Sequence, residues 1–252
     1  MPTFPVCCAA AAICRCTNFR LRCQIFRAAS REHAAGLIRT RISRENAYFS
    51  RMITPLFEPC IPTRGTKVPS GTDWIHEIKH DGYRLIVQRE GKRVRLFTRN
   101  GNDWSDRFPL IVEAALRNRI SSFVIDGEAV LLGVDGRSDF NGLHSRKHNN
   151  EVQLYAFDVL AIDGDDLRWM PLHLRKANLE RLLERRVNGI FLSDFEQGAI
   201  GPDLFRHACL MGLEGLVSKH RDRPYRAGRS PHWIKVKNRT HHSIDRIKEA
   251  FS

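Results

Sequence analysis

The chain has no long uncharged apolar stretch: nowhere in its 252 residues do about 18 apolar positions follow one another, the length a membrane-spanning helix needs. A helical membrane protein is therefore not expected. Cysteine is nearly missing beyond residue 51, where only Cys60 and Cys209 of the seven occur. No disulfide framework is expected, since a reducing cytoplasm keeps thiols free. Residues 1–51, in turn, contain no lysine and only two acids, Glu32 and Glu45, against nine arginines. They hold Cys7, Cys8, Cys14, Cys16 and Cys23, but Cys14-Arg15-Cys16 lacks a second well-placed pair, so a zinc site is not expected either. With no helical or strand period, this segment reads as a basic extension that is disordered, or as upstream sequence preceding a true start at Met52. No internal repeat is visible.

What is present supports a folded, anion-binding protein. A 42% apolar composition is enough for a sizeable core in one large or two small domains. The formal charge of +13 favours a polyanionic partner, nucleic acid first, without indicating sequence preference. Pro55, Pro59, Pro62, Pro69 and Gly71 make residues 54–73 an extended lead-in. Strands alternate from there through residue 98, with turns signalled at Glu90-Gly91-Lys92 and later at Asp135-Gly136. Helices are predicted at residues 110–119, at 172–186 with Leu172, Leu174, Leu179, Leu182 and Leu183 inward, and at 202–211. Hairpins mixed with helices argue for an α+β fold and against a doubly wound parallel sheet.

The densest chemistry lies at Lys79-His80-Asp81-Gly82-Tyr83-Arg84. Asp-Gly between two β-prone runs, Trp74 to Ile78 and Tyr83 to Val87, is a tight-turn signal that would hold Lys79 at a strand end. A free lysine, with a reference pKa near 10.4, is neutral in only about one molecule in a few thousand at pH 7. To act as a nucleophile it needs nearby cations or desolvation. Arg84 is one candidate cation, and Trp233-Ile234-Lys235-Val236-Lys237 supplies more, because alternation puts Lys235 and Lys237 on one strand face. Two acidic clusters sit on apolar strands, Ile125-Asp126-Gly127-Glu128 and Leu213-Glu214-Gly215-Leu216. Such carboxylates need ribose hydroxyls, a divalent metal or lysines as partners.

The ordered set KHDGYR, Thr98-Arg99-Asn100-Gly101, IDGE, Tyr155-Ala156-Phe157-Asp158-Val159-Leu160, EGLVSK and WIKVK resembles the collinear motifs of covalent nucleotidyltransferases. Within that superfamily it is similar to ATP-dependent DNA ligases, especially the ligase module of bacterial non-homologous end-joining ligases and their short stand-alone relatives. The resemblance covers roughly residues 52–240, and it implies two mainly antiparallel sheets flanked by helices, with ATP in the cleft between them. It implies that Lys79 attacks the α-phosphate of ATP, expels pyrophosphate and becomes lysyl-AMP. AMP would pass to a DNA 5′-phosphate, and a 3′-hydroxyl would displace it to seal the strand in repair or recombination. By the same resemblance Glu128 binds the ribose, Phe157 stacks on adenine, and Glu77, Ile78 and Lys219 line the nucleotide site. Lys235 and Lys237 hold the α-phosphate, Arg84 and Arg99 sit near the nucleotide and the nick, and Glu214 with Asp81 serves magnesium or manganese.

Read singly, several of these residues keep plainer roles. Phe157 alternates with Tyr155 and Val159 as any buried strand does, Glu128 and Glu214 could be ion-pair partners, Lys219 a solvated strand end, and Arg99 a turn-flanking arginine. Only fifteen residues follow Lys237, and Ile244, Ile247, Lys248 and Phe251 fall at helical intervals, which predicts a short helix at 241–252 and no oligonucleotide-binding barrel. The expectation is a monomeric, cytoplasmic, nucleoid-associated bacterial ligase acting on nicked or broken duplex DNA, with a Ku-like end-binding protein or a separate clamping partner. Alternatives are a non-catalytic DNA-binding remnant of the fold, or an RNA ligase or capping-type nucleotidyltransferase.

Overall fold

The structure is a computed structural model that describes residues 57–185 and 187–243. The expectations for residues 1–51, and for a helix beyond residue 243, lie outside the described residues.

Two sheets face each other. The first has five strands in the order β1-β11-β10-β2-β9: β1 (Cys60–Arg64), β11 (Gly228–Lys237), β10 (Gly215–His220), β2 (Trp74–Ile78) and β9 (Phe195–Gln197). The second has six, in the order β4-β3-β5-β6-β7 with β8 added beside β6. These are β4 (Arg93–Thr98), β3 (Tyr83–Glu90), β5 (Ser122–Val130), β6 (Gln153–Ile162), β7 (Asp165–Asp166) and β8 (Ile190–Leu192). All pairings are antiparallel except β1 with β11 and β6 with β8. Four helices, α1 (Pro109–Arg117), α2 (Phe140–Ser145), α3 (Leu172–Leu182) and α4 (Gly201–Leu210), complete the described α+β domain.

The apolar alternation of the strands builds two cores. On one face of the six-stranded sheet, Leu85, Val87, Leu96, Ile125, Leu154 and Val159 pack with Phe108 and Ile111 at α1 and Leu179 and Leu182 of α3. A fully buried leucine of this kind contributes about 1.5–3 kcal/mol. On the other face a smaller core joins the sheets, with Ile86, Val124, Phe157 and Leu160 meeting Cys60, Tyr225 and Trp233. Helix α1 begins with Pro109 at its first turn, where the missing N–H is harmless, and ends where Arg89 donates to the carbonyls of Ala115, Asn118 and Ile120 at 2.7, 2.7 and 3.0 Å.

The departures from sequence expectation have physical causes. Helix α3 stops at Leu182, and its inward face is only partly leucine: Arg175 and Lys176 are buried while Leu174 is 41% exposed. Arg175 can be buried because Asp158 receives its Nε and Nη2 at 2.8 and 2.9 Å, both side chains being fully enclosed. Within the extended lead-in, residues 60–64 form a paired strand, which Pro62 tolerates because β1 is an edge strand whose register slips between Pro62 and Thr63. The turns at Gly91 and Gly136 occur as expected, with φ of 59° and 75°. Asp81-Gly82 does not close a hairpin; β2 and β3 belong to different sheets, and the turn carries the chain from one to the other. Gly82 is needed for close approach and not for positive φ, since a Cβ there would lie 2.2 Å from the carbonyl oxygen of Ala129.

Candidate active site

A cleft of about 500 Å³ opens between the sheets, and Lys79, Arg84, Glu128, Phe157, Lys219 and Lys235 line it, as do Glu77, Ile78 and Arg99. Lys79 follows β2 directly, and its backbone N–H donates to Gly215 O at 2.9 Å, tying it to the start of β10. Its ammonium lies 2.7 Å from Oε2 of Glu214, whose Oε1 is 2.7 Å from Nζ of Lys237. Glu214 is 3% exposed. Burial alone would raise its pKa, but the ammonium groups of Lys79 and Lys237 outweigh that and hold it below the ordinary carboxylate value. Lys235 lies on the strand that carries Lys237, and burial together with the charges of Lys79, Lys237 and Arg99 lowers its pKa.

The opposite wall carries a buried charge network. Arg84 donates through Nε and Nη2 to the two oxygens of Asp126 at 2.5 and 2.6 Å, and Tyr225 donates its hydroxyl to the same carboxylate at 2.7 Å. Burial works against the Arg84 charge, and Asp126 more than offsets it. Glu128, two residues along β5, has no such partner at hydrogen-bonding distance among the described residues, and burial pushes its carboxyl up to about 7 against the pull of Lys79 and Arg84.

Phe157 is 9% exposed, so it belongs both to the core and to the cleft wall. Arg84 lies 4.4 Å and Lys219 4.0 Å from its ring centre, and Trp233 meets it edge-on at 6.2 Å. Lys219 is no solvated strand end: it is buried, it donates to Glu77 at 2.6 Å, and burial lowers it to about 8 although Glu77 opposes the shift. Glu77 also faces Lys176 of α3 at 2.5 Å, so one buried carboxylate balances two lysines. Arg99 is exposed at the Thr98–Asn102 turn on the cleft rim.

Asp81 is buried and does not line the cleft, and its carboxylate lies near His241 and His242. Reading the motifs missed Asp126, Tyr225, Trp233 and Lys176 as parts of the site. Asp126 and Trp233 stood inside quoted motifs, but nothing local pointed to Lys176 or Tyr225, which reach the site through tertiary packing.

A family model for the ATP dependent DNA ligase domain matches residues 59–237, the stretch that contains both sheets and every cleft residue named above. The chain belongs to this family. Among relatives of the ligase domain is the multifunctional non-homologous end joining protein LigD of Pseudomonas aeruginosa, 38% identical over 189 residues that make up 73% of this chain and 22% of that one. A probable DNA ligase of Streptomyces coelicolor is 37% identical over 175 residues, 64% of this chain and 34% of that one. This chain thus spans well under half the length of the curated relatives it matches. Among solved structures, mycobacterial DNA ligase D complexed with ATP and MES superposes with a TM-score of 0.63 at 31% identity, over 71% of this chain and 60% of that one. The ligase domain of M. tuberculosis LigD matches equally, with the same score and identity. The two-sheet architecture is therefore that of the nucleotidyltransferase domain of DNA ligases. No helix among the described residues is long and apolar enough to cross a membrane.

Proposed function

We propose that this ligase domain activates ATP by forming lysyl-AMP at Lys79 and passes the adenylate to DNA. The observation that carries the reading is the pairing of Lys79 with Glu214 and of Glu214 with Lys237, both at 2.7 Å, at a cleft that also holds Lys235. Such an array keeps the amine in place and surrounds the position of an α-phosphate with positive charge.

Lys79 first releases its ammonium proton to water; the neutral amine attacks the α-phosphorus, a P–N bond forms as the nitrogen sheds a second proton to water, the bond to the bridging oxygen of the β-phosphate breaks, and pyrophosphate leaves. Lys235 and Lys237 stabilise the charge that develops on the α-phosphate oxygens. Glu128 accepts from the ribose hydroxyls, and Phe157 offers its ring to adenine beside Glu77, Ile78 and Lys219. Arg84, held by Asp126, and Arg99 at the rim complete the positive wall. An oxygen of a DNA 5′-phosphate then displaces Lys79 from the AMP phosphorus, and a 3′-hydroxyl displaces AMP from the DNA. The surplus of positive charge, +13 for the chain, suits that polyanion.

A magnesium or manganese ion fits Glu214, whose two hard oxygens already attract two cations at 2.7 Å. When bound it supplies further charge stabilisation to the phosphates. Asp81, the second carboxylate that the family resemblance gives to the metal, lies buried near His241 and His242.

The test is incubation of the full chain with magnesium and α-labelled ATP. Label should attach covalently to the wild type, resist base, be released by acid as a P–N bond requires, and be absent from Lys79→Ala. A labelled Lys79→Ala protein overturns the assignment. Nicked DNA and nicked RNA offered as acceptors distinguish DNA ligation from RNA ligation, and release of sealed product tests whether this chain completes the reaction. Recruitment by a Ku-like protein belongs to the same proposal and is tested by pull-down with DNA ends present.

A further inference from the structure

One cluster borders the nucleotide cleft without lining it: Asp81 lies between the cleft residues His80 and Gly82. The ligand atoms of Asp81, His241 and His242 lie within 4.8 Å of one another, and His242 Nε2 is 3.6 Å from Asp81 Oδ2. The cluster joins two segments far apart in sequence: the connection from β2 to β3, and the turn that follows β11. Asn238 builds that turn. Its N–H donates to Glu214 O at 2.9 Å and its side-chain amide to Leu213 O at 3.1 Å, while its side-chain oxygen accepts from the N–H and hydroxyl of Thr240 at 3.1 and 2.9 Å. The N–H of His241 then donates to Asn238 O at 3.3 Å. The result delivers two consecutive imidazoles, ring centres 4.1 Å apart, to one carboxylate.

We infer that Asp81, His241 and His242 form a binding site for a borderline divalent transition metal such as zinc, which clamps the turn after β11 onto the connection that carries Lys79. Two imidazole nitrogens and one carboxylate oxygen are a zinc-type donor set and a poor one for magnesium, which prefers an all-oxygen shell. Bond lengths near 2.0–2.2 Å put tetrahedral ligands about 3.3 Å apart, so the three atoms close in by about 1.5 Å or less from their present separations. Asp81 and His241 are buried and His242 is 57% exposed, which leaves a solvent route and a fourth position for water. The Ser243 N–H now donates to His241 Nδ1 at 3.2 Å, and either ring nitrogen of His241 can take the metal only by giving up that bond. The site differs in metal class and in ligands from Glu214.

The test uses cobalt as a spectroscopic probe on the full chain, because nitrogen and oxygen ligation gives a visible d–d band without the near-ultraviolet charge transfer of thiolate ligation. That distinction sets aside any binding by the cysteines of residues 1–51. Wild type should bind one equivalent in the visible band, zinc should displace it, and excess magnesium should not. His242→Ala, at an exposed position that the fold tolerates, should weaken cobalt binding by about tenfold or more, the least that disturbing even an outer ligand costs. His241→Ala/His242→Ala should lose the band, with circular dichroism confirming that the domain is folded. Zinc should raise the melting temperature of wild type and leave that of His242→Ala unchanged. An unaltered cobalt affinity in His242→Ala, the lack of a visible band in wild type, or displacement by magnesium overturns the inference.

Discussion

Glu128 gives the sharpest quantitative test of the nucleotide site. Burial holds its carboxyl at about 7 instead of the usual 4.5, against the opposing charges of Lys79 and Arg84. With that value, about one-tenth of the molecules carry the carboxylate at pH 6 and about nine-tenths at pH 8. If the ribose hydroxyls donate to the ionised form, affinity tracks that fraction and rises about tenfold between pH 6 and pH 8. Adenosine is the ligand of choice because it has no phosphate titrating in the same window. Calorimetry should show the tenfold rise for adenosine with wild type, and no slope for Glu128→Gln or for 2′,3′-dideoxyadenosine. Folding follows the same linkage with the opposite sense. The raised pKa makes the folded state bind a proton that the unfolded chain releases, so the stabilisation is complete below about 4.5 and is lost as pH climbs through about 7. That loss amounts to at most about 3 kcal/mol, less where water still reaches the carboxyl, and Glu128→Gln should abolish it. Adenosine affinity that is flat from pH 6 to pH 8 in wild type refutes the reasoning.

Three further outcomes are expected. Arg84→Ala strands Asp126, which is fully buried, with only the Tyr225 hydroxyl as a side-chain donor among the described residues; urea denaturation should show a loss of about 3–5 kcal/mol. Gly82→Ala places a methyl group 2.2 Å from Ala129 O and should cost at least about 1–3 kcal/mol by the same measurement, whereas Gly91→Ala meets no atom and should cost only its left-handed strain, about 1–2 kcal/mol. Phe157→Leu preserves an apolar core but removes the flat ring, so nucleotide binding should weaken about tenfold, in line with about 1–3 kcal/mol for a base stacked on an aromatic side chain, while the melting temperature shifts little.

Local chemistry was legible in the sequence, and tertiary chemistry was not. Strand alternation correctly set Lys235 and Lys237 on one face of β11, because a period of two depends on neighbours alone. The partner of Lys237 across the sheet, Glu214, sits just before a different strand, and its contact with Lys79 spans 135 positions. Helix α3 shows the same limit: its leucines announce a helix, but the buried Arg175 and Lys176 are intelligible only once Asp158 and Glu77 are seen opposite them. Strand β1 was masked by prolines that an edge position tolerates. Asp81-Gly82 had the composition of a hairpin turn, and nothing local says that the two flanking strands will join different sheets.

That crossing has a mechanical consequence. Lys79 stands on the short link between Ile78, the last residue of a strand in one sheet, and Tyr83, the first of a strand in the other. Its N–H is nevertheless bonded to Gly215 O of β10, so a group bonded to its amine is anchored to the five-stranded sheet. Should the two sheets spread to admit a long, stiff polymer or close to exclude water, the cargo travels with that half, and the six-stranded sheet is the wall that moves relative to it.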